Sequence, residues 1–168
     1  MELKSYLLAQ FDREAAQTRK TIERVPEGQN DFKPHDRSMA FGYLAVLVAT
    51  MPGWVALMID RDELNLDETA SDGFRPKVVA TKAELLAAHD AAVANGRRAL
   101  EATSDEHLLT PWAFKINGQP ISQNPRYLMI ADSVFSHLAH HRGQLTVYLR
   151  LNEAKVPALY GPSADERF

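Results

Sequence analysis

The sequence predicts an all-α chain, a four-helix bundle with at most one short β-hairpin before the last helix. Three observations carry this. Residues 2–25, 38–59, 81–100 and 125–151 each gather their apolar residues on one stripe when the chain advances 100° per residue. Only Asn117-Gly118 offers a tight hairpin turn between apolar arms. The 168 residues, 45% hydrophobic and 24% charged, suit a single domain over 1–168 with a sizeable core.

Helix one spans 2–25. Leu3, Leu7, Phe11, Ile22 and Val25 share its stripe, and Val25-Pro26-Glu27-Gly28 ends it. Glu14 and Thr18 fall on the same stripe. A carboxylate buried alone is costly, so Glu14 either lies at the edge of the stripe or has a partner inside. Residues 26–37 are a polar connection. Ser38 is positioned to cap helix two, which runs to Ile59 with Tyr43, Leu44, Leu47, Met51, Trp54, Val55 and Met58 inward. Pro52 removes a helical hydrogen bond in mid-run, which predicts a kink or brief break.

Residues 60–80 are acidic and irregular. Such a connection is long for a compact domain, and long enough to let helices two and three run parallel. Thr81-Lys82-Ala83-Glu84 is a capping box that starts helix three. Its stripe is Leu85, His89, Ala92, Val93, Gly96 and Leu100, so His89 faces inward. In 104–124, Ala113-Phe114-Lys115-Ile116 alternates before Asn117-Gly118, and Pro120 demotes the second arm to an edge or loop.

Asn124 is read as the N-cap of helix four and Pro125 as its first residue. Tyr127, Ile130, Val134, Leu138, Leu145 and Tyr148 make its inward stripe. His137 and His141 lie within or beside that stripe, one turn apart, while His140 points toward Ser133, Ser136 and Gln144. The Pro- and Gly-rich tail, 152–168, is expected to lie over the surface.

Composition excludes several functions. A net charge of −3 gives no general attraction to nucleic acid, which depends on clustered Lys and Arg. With no cysteine there is no disulfide, thiolate ligand or cysteine nucleophile, and any thiol must come from outside. No signal peptide and no apolar run of about 18 residues is read, so the expected location is the cytoplasm, away from membranes. No Gly-x-Ser-x-Gly elbow, phosphate-binding Gly-rich loop or His-Glu-x-x-His occurs. The chemical candidate is the inward pair. Imidazoles four apart on a helix can share one metal ion, or each can be satisfied by a hydrogen bond.

Several segments together resemble a known family. They are His137-Leu138-Ala139-His140-His141-Arg142-Gly143-Gln144-Leu145, Phe32-Lys33-Pro34-His35-Asp36-Arg37-Ser38-Met39, Gly42-Tyr43-Leu44-Ala45, Pro52-Gly53-Trp54 and Tyr160-Gly161-Pro162-Ser163-Ala164-Asp165-Glu166. Their order and spacing resemble the DinB-like superfamily, which includes YfiT-type metal-dependent hydrolases. The resemblance implies an up-down-down-up bundle, often a homodimer, with a divalent metal such as Zn or Ni held by three histidines. Two of these match His137 and His141. The third belongs on helix two, where this chain has Leu47. Family members of known activity are thiol-dependent transferases or isomerases using bacillithiol, mycothiol or glutathione.

Three functions follow as expectations. In the first, a metal on His137, His141 and a substitute ligand activates water or a small external thiol, and a small molecule is hydrolysed or receives the thiol. His89 is the candidate substitute. Counted from the helix ends at about 1.5 Å per residue, Glu14, Leu47, His89 and His141 fall within roughly one turn of each other. Glu14 would serve as base or as an orienting partner, and Arg142 reads as a surface or interface ion pair. In the second, Leu47 fills the ligand's place and the protein binds a small apolar molecule without metal. In the third, the chain is a structural dimer.

Overall fold

The apolar stripes become helices, but the segments between them do not stay irregular. The computed structural model describes residues 2–66 and 76–167. The helices are α1 (Leu3–Ile22), α2 (Phe41–Thr50), α3 (Trp54–Asp60), α4 (Lys82–Ala102), α5 (Asp105–Leu109), α6 (Arg126–Ile130) and α7 (His137–Leu151). Strands β1 (Glu63–Leu66), β2 (Pro111–Ile116) and β3 (Gln119–Pro125) form one mixed sheet in the order β1-β2-β3. About 59% of the described residues are helical. The protein is therefore an α/β fold, and the expectation of an all-α four-helix bundle is overturned by the sheet.

The sheet escaped the sequence reading because its pairings are distant or guarded. β1 lies inside the acidic connection and pairs in parallel with β2, Glu63 opposite Ala113 and Leu64 opposite Phe114. No local periodicity announces such a pairing. (The 67–75 part of that connection lies outside the described residues.) β2 and β3 form the expected hairpin, with Asn117 at φ 49° and Gly118 at φ 77°, the left-handed pair that a tight two-residue turn requires. Pro120 does not abolish the second arm. β3 is an edge strand, where a missing N–H is tolerated, and the register shifts at Phe114/Lys115 where Lys115 meets Pro120.

Helix ends show what satisfies their free amides. The Thr81 capping box forms as expected: Glu84 N–H donates to Thr81 Oγ1 at 3.2 Å, and Thr81 N–H to Glu84 Oε2 at 3.0 Å. Ser38 does not cap α2. Ala40 holds that position, and the Phe41 and Gly42 amides donate instead to Phe32 O and Asn30 O, each at 2.9 Å. Asn124 does not cap the last helix either, because β3 runs on through Pro125.

Pro52 has the expected effect. A 3-10 turn, Met51–Gly53, separates α2 from α3. α4 crosses that turn closely at Gly96, where a Cβ would stand 2.5 Å from Pro52 O and 2.9 Å from Phe11 Cζ. Gly96→Ala should therefore lower stability by about 1–3 kcal/mol through overpacking. Gly143→Ala, whose Cβ would meet nothing within 4 Å, should be neutral or slightly stabilising. Chemical denaturation of both variants checks this, and equal effects would contradict the close crossing.

Among the described residues the core has two apolar clusters. One gathers Leu44, Leu47, Val48, Leu138 and Leu149 between α2 and α7. The other joins Leu7, Phe11, Val55, Leu100, Trp112 and Ile130 from α1, α3, α4, β2 and α6. Each such side chain, fully buried, stabilises by roughly 1.5–3 kcal/mol. Contrary to the sequence reading, Phe41–Asp60 is long and apolar enough to cross a membrane by length and composition, but 67% of its apolar 18-residue window is buried inside the fold, as for a core helix. A π turn, Ala131–Ser136, joins α6 to α7. The tail is held by Arg24–Glu166 and Arg150–Asp165 ion pairs, which set Tyr160 beside α1 and α7.

Candidate functional site

His137 and His141 open α7 and meet as their i, i+4 spacing requires. Their Nε2 atoms are 2.8 Å apart and their ring centroids 4.5 Å apart. His141, 6% exposed, donates its Nδ1–H to Gln144 Oε1 at 2.7 Å. With Nδ1 protonated, neutral His141 presents an Nε2 lone pair, which accepts the Nε2–H of His137. Burial holds His141 below the usual histidine range; the Gln144 hydrogen bond opposes this and the charges of His137 and His140 add to it. The His137 ring also lies 5.8 Å from that of Trp54.

A metal here needs further donors. α2 and α7 run antiparallel, since Trp54, just past the end of α2, meets His137 while Phe41 meets Tyr148. Leu47, two turns before Trp54, is thus level with the turn from His141 to Gln144. It is buried in the apolar cluster with Leu138 and Leu145 and offers no ligand atom. His89 does not join the pair. It is 2% exposed, with Nδ1 3.1 Å from Ala49 O and Nε2 3.2 Å from Ala15 O. Burial lowers its pKa, while these two carbonyls act in the opposite direction. Among the described residues no group of three or more His, Asp or Glu side chains is placed to hold an ion. The donor set therefore does not fit a three-histidine centre, and a divalent ion on two imidazoles would be held largely by water.

Glu14 has its partner inside, and the partner is Arg142. Both are buried, at 3% and 0% exposure, with Arg142 Nη2 2.6 Å from Glu14 Oε2. Arg142 Nη1 also donates to Glu14 O at 3.0 Å and Thr18 Oγ1 at 2.9 Å, and the Tyr160 hydroxyl bonds both members of the pair. Arg142 is thus a core ion pair between α1 and α7, not the expected surface or interface pair. Glu14 is not brought to the histidines; its remaining oxygen accepts from Gln10 Nε2 at 3.2 Å. Burial of the Tyr160 hydroxyl, and then its bond to Glu14, push that phenol up to about 12.

Beside His137 opens a cleft of about 330 Å³. Alternation along the strands puts Leu64 and Leu66 of β1, and Trp112 and Phe114 of β2, on one face of the sheet, and these four line it. Trp54, Ser133 and His137 line the opposite side. Trp112 is 2% exposed, and its indole N–H has no hydrogen-bond partner among the described residues. The sequence reading missed this cleft, because Leu64 and Leu66 of its wall belong to the parallel strand it also missed. The readable signal was the shared face of Trp112 and Phe114. Gln144, three residues after His141, could likewise have been read as its orienting group.

The fold has known counterparts. A DinB-like protein from Bacillus cereus superposes with a TM-score of 0.68 at 21% sequence identity, covering 91% of this chain and 95% of that one. A DinB-like protein from Bacillus subtilis gives 0.68 at 19% identity, covering 92% and 97%. At these identities the likeness speaks for the fold alone. No curated protein sequence matches. The DinB family model matches residues 1–167, nearly the whole chain, and the chain therefore belongs to the DinB family.

Proposed function

We propose that this protein binds a small, largely apolar molecule in the cleft between α3, the π turn and the β1–β2 face, with the His137–His141 pair at its polar end. The observation that carries this is the cleft, about 330 Å³, walled by leucines and aromatic rings with His137 at its margin. Sites for small molecules are typically concave and apolar with a few placed polar groups. Both tryptophans of the chain line it, so occupancy should alter intrinsic fluorescence. The test is titration with N-phenyl-1-naphthylamine, a neutral apolar fluorescent probe. We expect saturable binding that also raises the melting temperature, weakened at least about tenfold by Leu64→Arg, since an unpaired charge in an apolar wall is costly. Absence of saturable binding, or binding indifferent to Leu64→Arg, would sink this reading.

A second reading is favoured by the 2.8 Å histidine contact and the Gln144 brace. A neutral, oriented imidazole pair can take a proton from water or from a small external thiol, which supports a hydrolase or thiol transferase acting on the bound molecule. In that case His141→Ala abolishes turnover while leaving probe binding intact.

A further inference from the structure

The π turn also borders a second concavity, a groove of about 550 Å³ between α1, the head of α7 and the tail. It shares no lining residue with the cleft. Along α1 it is lined by a chain of polar groups. Arg13 Nη2 donates to Gln10 Oε1, Gln10 Nε2 donates to Glu14 Oε1 at 3.2 Å, and Glu14 Oε2 accepts from Arg142 and from the Tyr160 hydroxyl. The Tyr160 phenol, pushed up to about 12, is uncharged at neutral pH. One carboxylate thus serves two guanidinium groups, and the chain of bonds carries one positive charge in excess. Arg142 is neutralised directly by Glu14, so the excess lies on Arg13, which is exposed and has no carboxylate partner among the described residues. Phe135, Ala139 and Leu159 add apolar surface to the same groove. Its tail edge is tied down, since Gln17 Nε2 donates to Leu159 O at 3.1 Å and Tyr160 is held by Glu14. A guanidinium fork matches a carboxylate in shape and charge. Apolar surface beside it gains from being covered.

We propose that this groove binds a small organic monoanion, an apolar body ending in one carboxylate, with the carboxylate on Arg13 and the body against Phe135, Ala139 and Leu159. A cation is repelled by Arg13, and a dianion brings a second charge that nothing lining the groove balances. The site stands apart from the cleft and does not depend on what the cleft binds.

The carboxylate 2-naphthoate and its amide, 2-naphthamide, test this, because they share a shape and differ in charge at neutral pH. Each would be titrated calorimetrically into the wild type and into Arg13→Gln, a surface replacement that removes the charge. The wild type should prefer the carboxylate by about three- to tenfold, an effect kept modest by solvent around an exposed arginine, and Arg13→Gln should remove most of that preference. Added salt should weaken the carboxylate and leave the amide unchanged. Nitrogen-15 correlation spectra of the wild type give a measurement independent of the variant. The Arg13 Nε–H signal, assigned by its loss in Arg13→Gln, should move with 2-naphthoate and little with 2-naphthamide. Equal affinities, or a preference that survives Arg13→Gln, overturn the anionic class. An Arg13 signal that bound 2-naphthoate does not move places the compound elsewhere and overturns the groove as its site. Failure of both compounds to bind overturns the proposal as a whole.

Discussion

Arg142→Ala should lower the melting temperature by roughly 10–15 °C. The guanidinium is wholly buried and joins α1 to α7 through Glu14 Oε2 at 2.6 Å, Glu14 O at 3.0 Å and Thr18 Oγ1 at 2.9 Å. Removing it leaves the Glu14 carboxylate buried without its counter-charge, which costs about 3–5 kcal/mol. For a domain of this size each kcal/mol moves the melting temperature by about 2–4 °C. Arg150→Ala is the contrast. That arginine, half exposed, pairs with Asp165 on the surface, where solvent screens the charges, and its loss should leave the melting temperature nearly unchanged. The double replacement Glu14→Leu with Arg142→Met should be less damaging than Arg142→Ala alone, because no orphan charge remains. Differential scanning calorimetry of the four proteins decides. An Arg142→Ala melting point within error of the wild type would mean that the pair contributes nothing.

Leu47→His should raise affinity for Zn or Ni about a hundredfold, equivalent to about 2.7 kcal/mol. The wild-type chain brings two imidazoles together, Nε2 to Nε2 at 2.8 Å, and leaves a leucine at the level of the third. A third imidazole displaces water from the ion and makes the set that a catalytic metal site normally has. Competition with a chromogenic chelator measures the gain, and adding His141→Ala to Leu47→His should remove most of it. No gain would show that Leu47 does not face the pair.

What the sequence disclosed was whatever a single element decides by itself. The Thr81-Glu84 box, the Pro52 break and the Asn117-Gly118 turn each depend on a few neighbouring residues, and each forms. The meeting of His137 and His141 is of the same kind, since one helical turn brings them together. Pairings across the chain were not legible. Leu64 pairs with Phe114 from inside an acidic segment with no strand signal, and Glu14 finds Arg142 at a separation of 128 residues. His89 faces inward as its stripe implies, and it lies beside Ala15 and Ala49, next in sequence or nearly so to the Glu14 and Leu47 level expected for it. Its partners, however, are backbone carbonyls, which every residue carries and no side-chain pattern can reveal.

The π turn at Ala131–Ser136 ties the two polar features of α7 to a common phase. From His137 onward the helix is regular, so one setting of its rotation aims the histidines past Trp54 and Arg142 at Glu14. Losing one residue from the turn would advance every later side chain by one place, about 100° around the axis. Leu138 and Arg142 would then stand where His137 and His141 stand, and Gly143 would face Glu14. The histidine pair and the core ion pair would vanish in the same step. Substitution can alter either alone, but a change of length before α7 cannot, and that couples the history of the site to the history of the core.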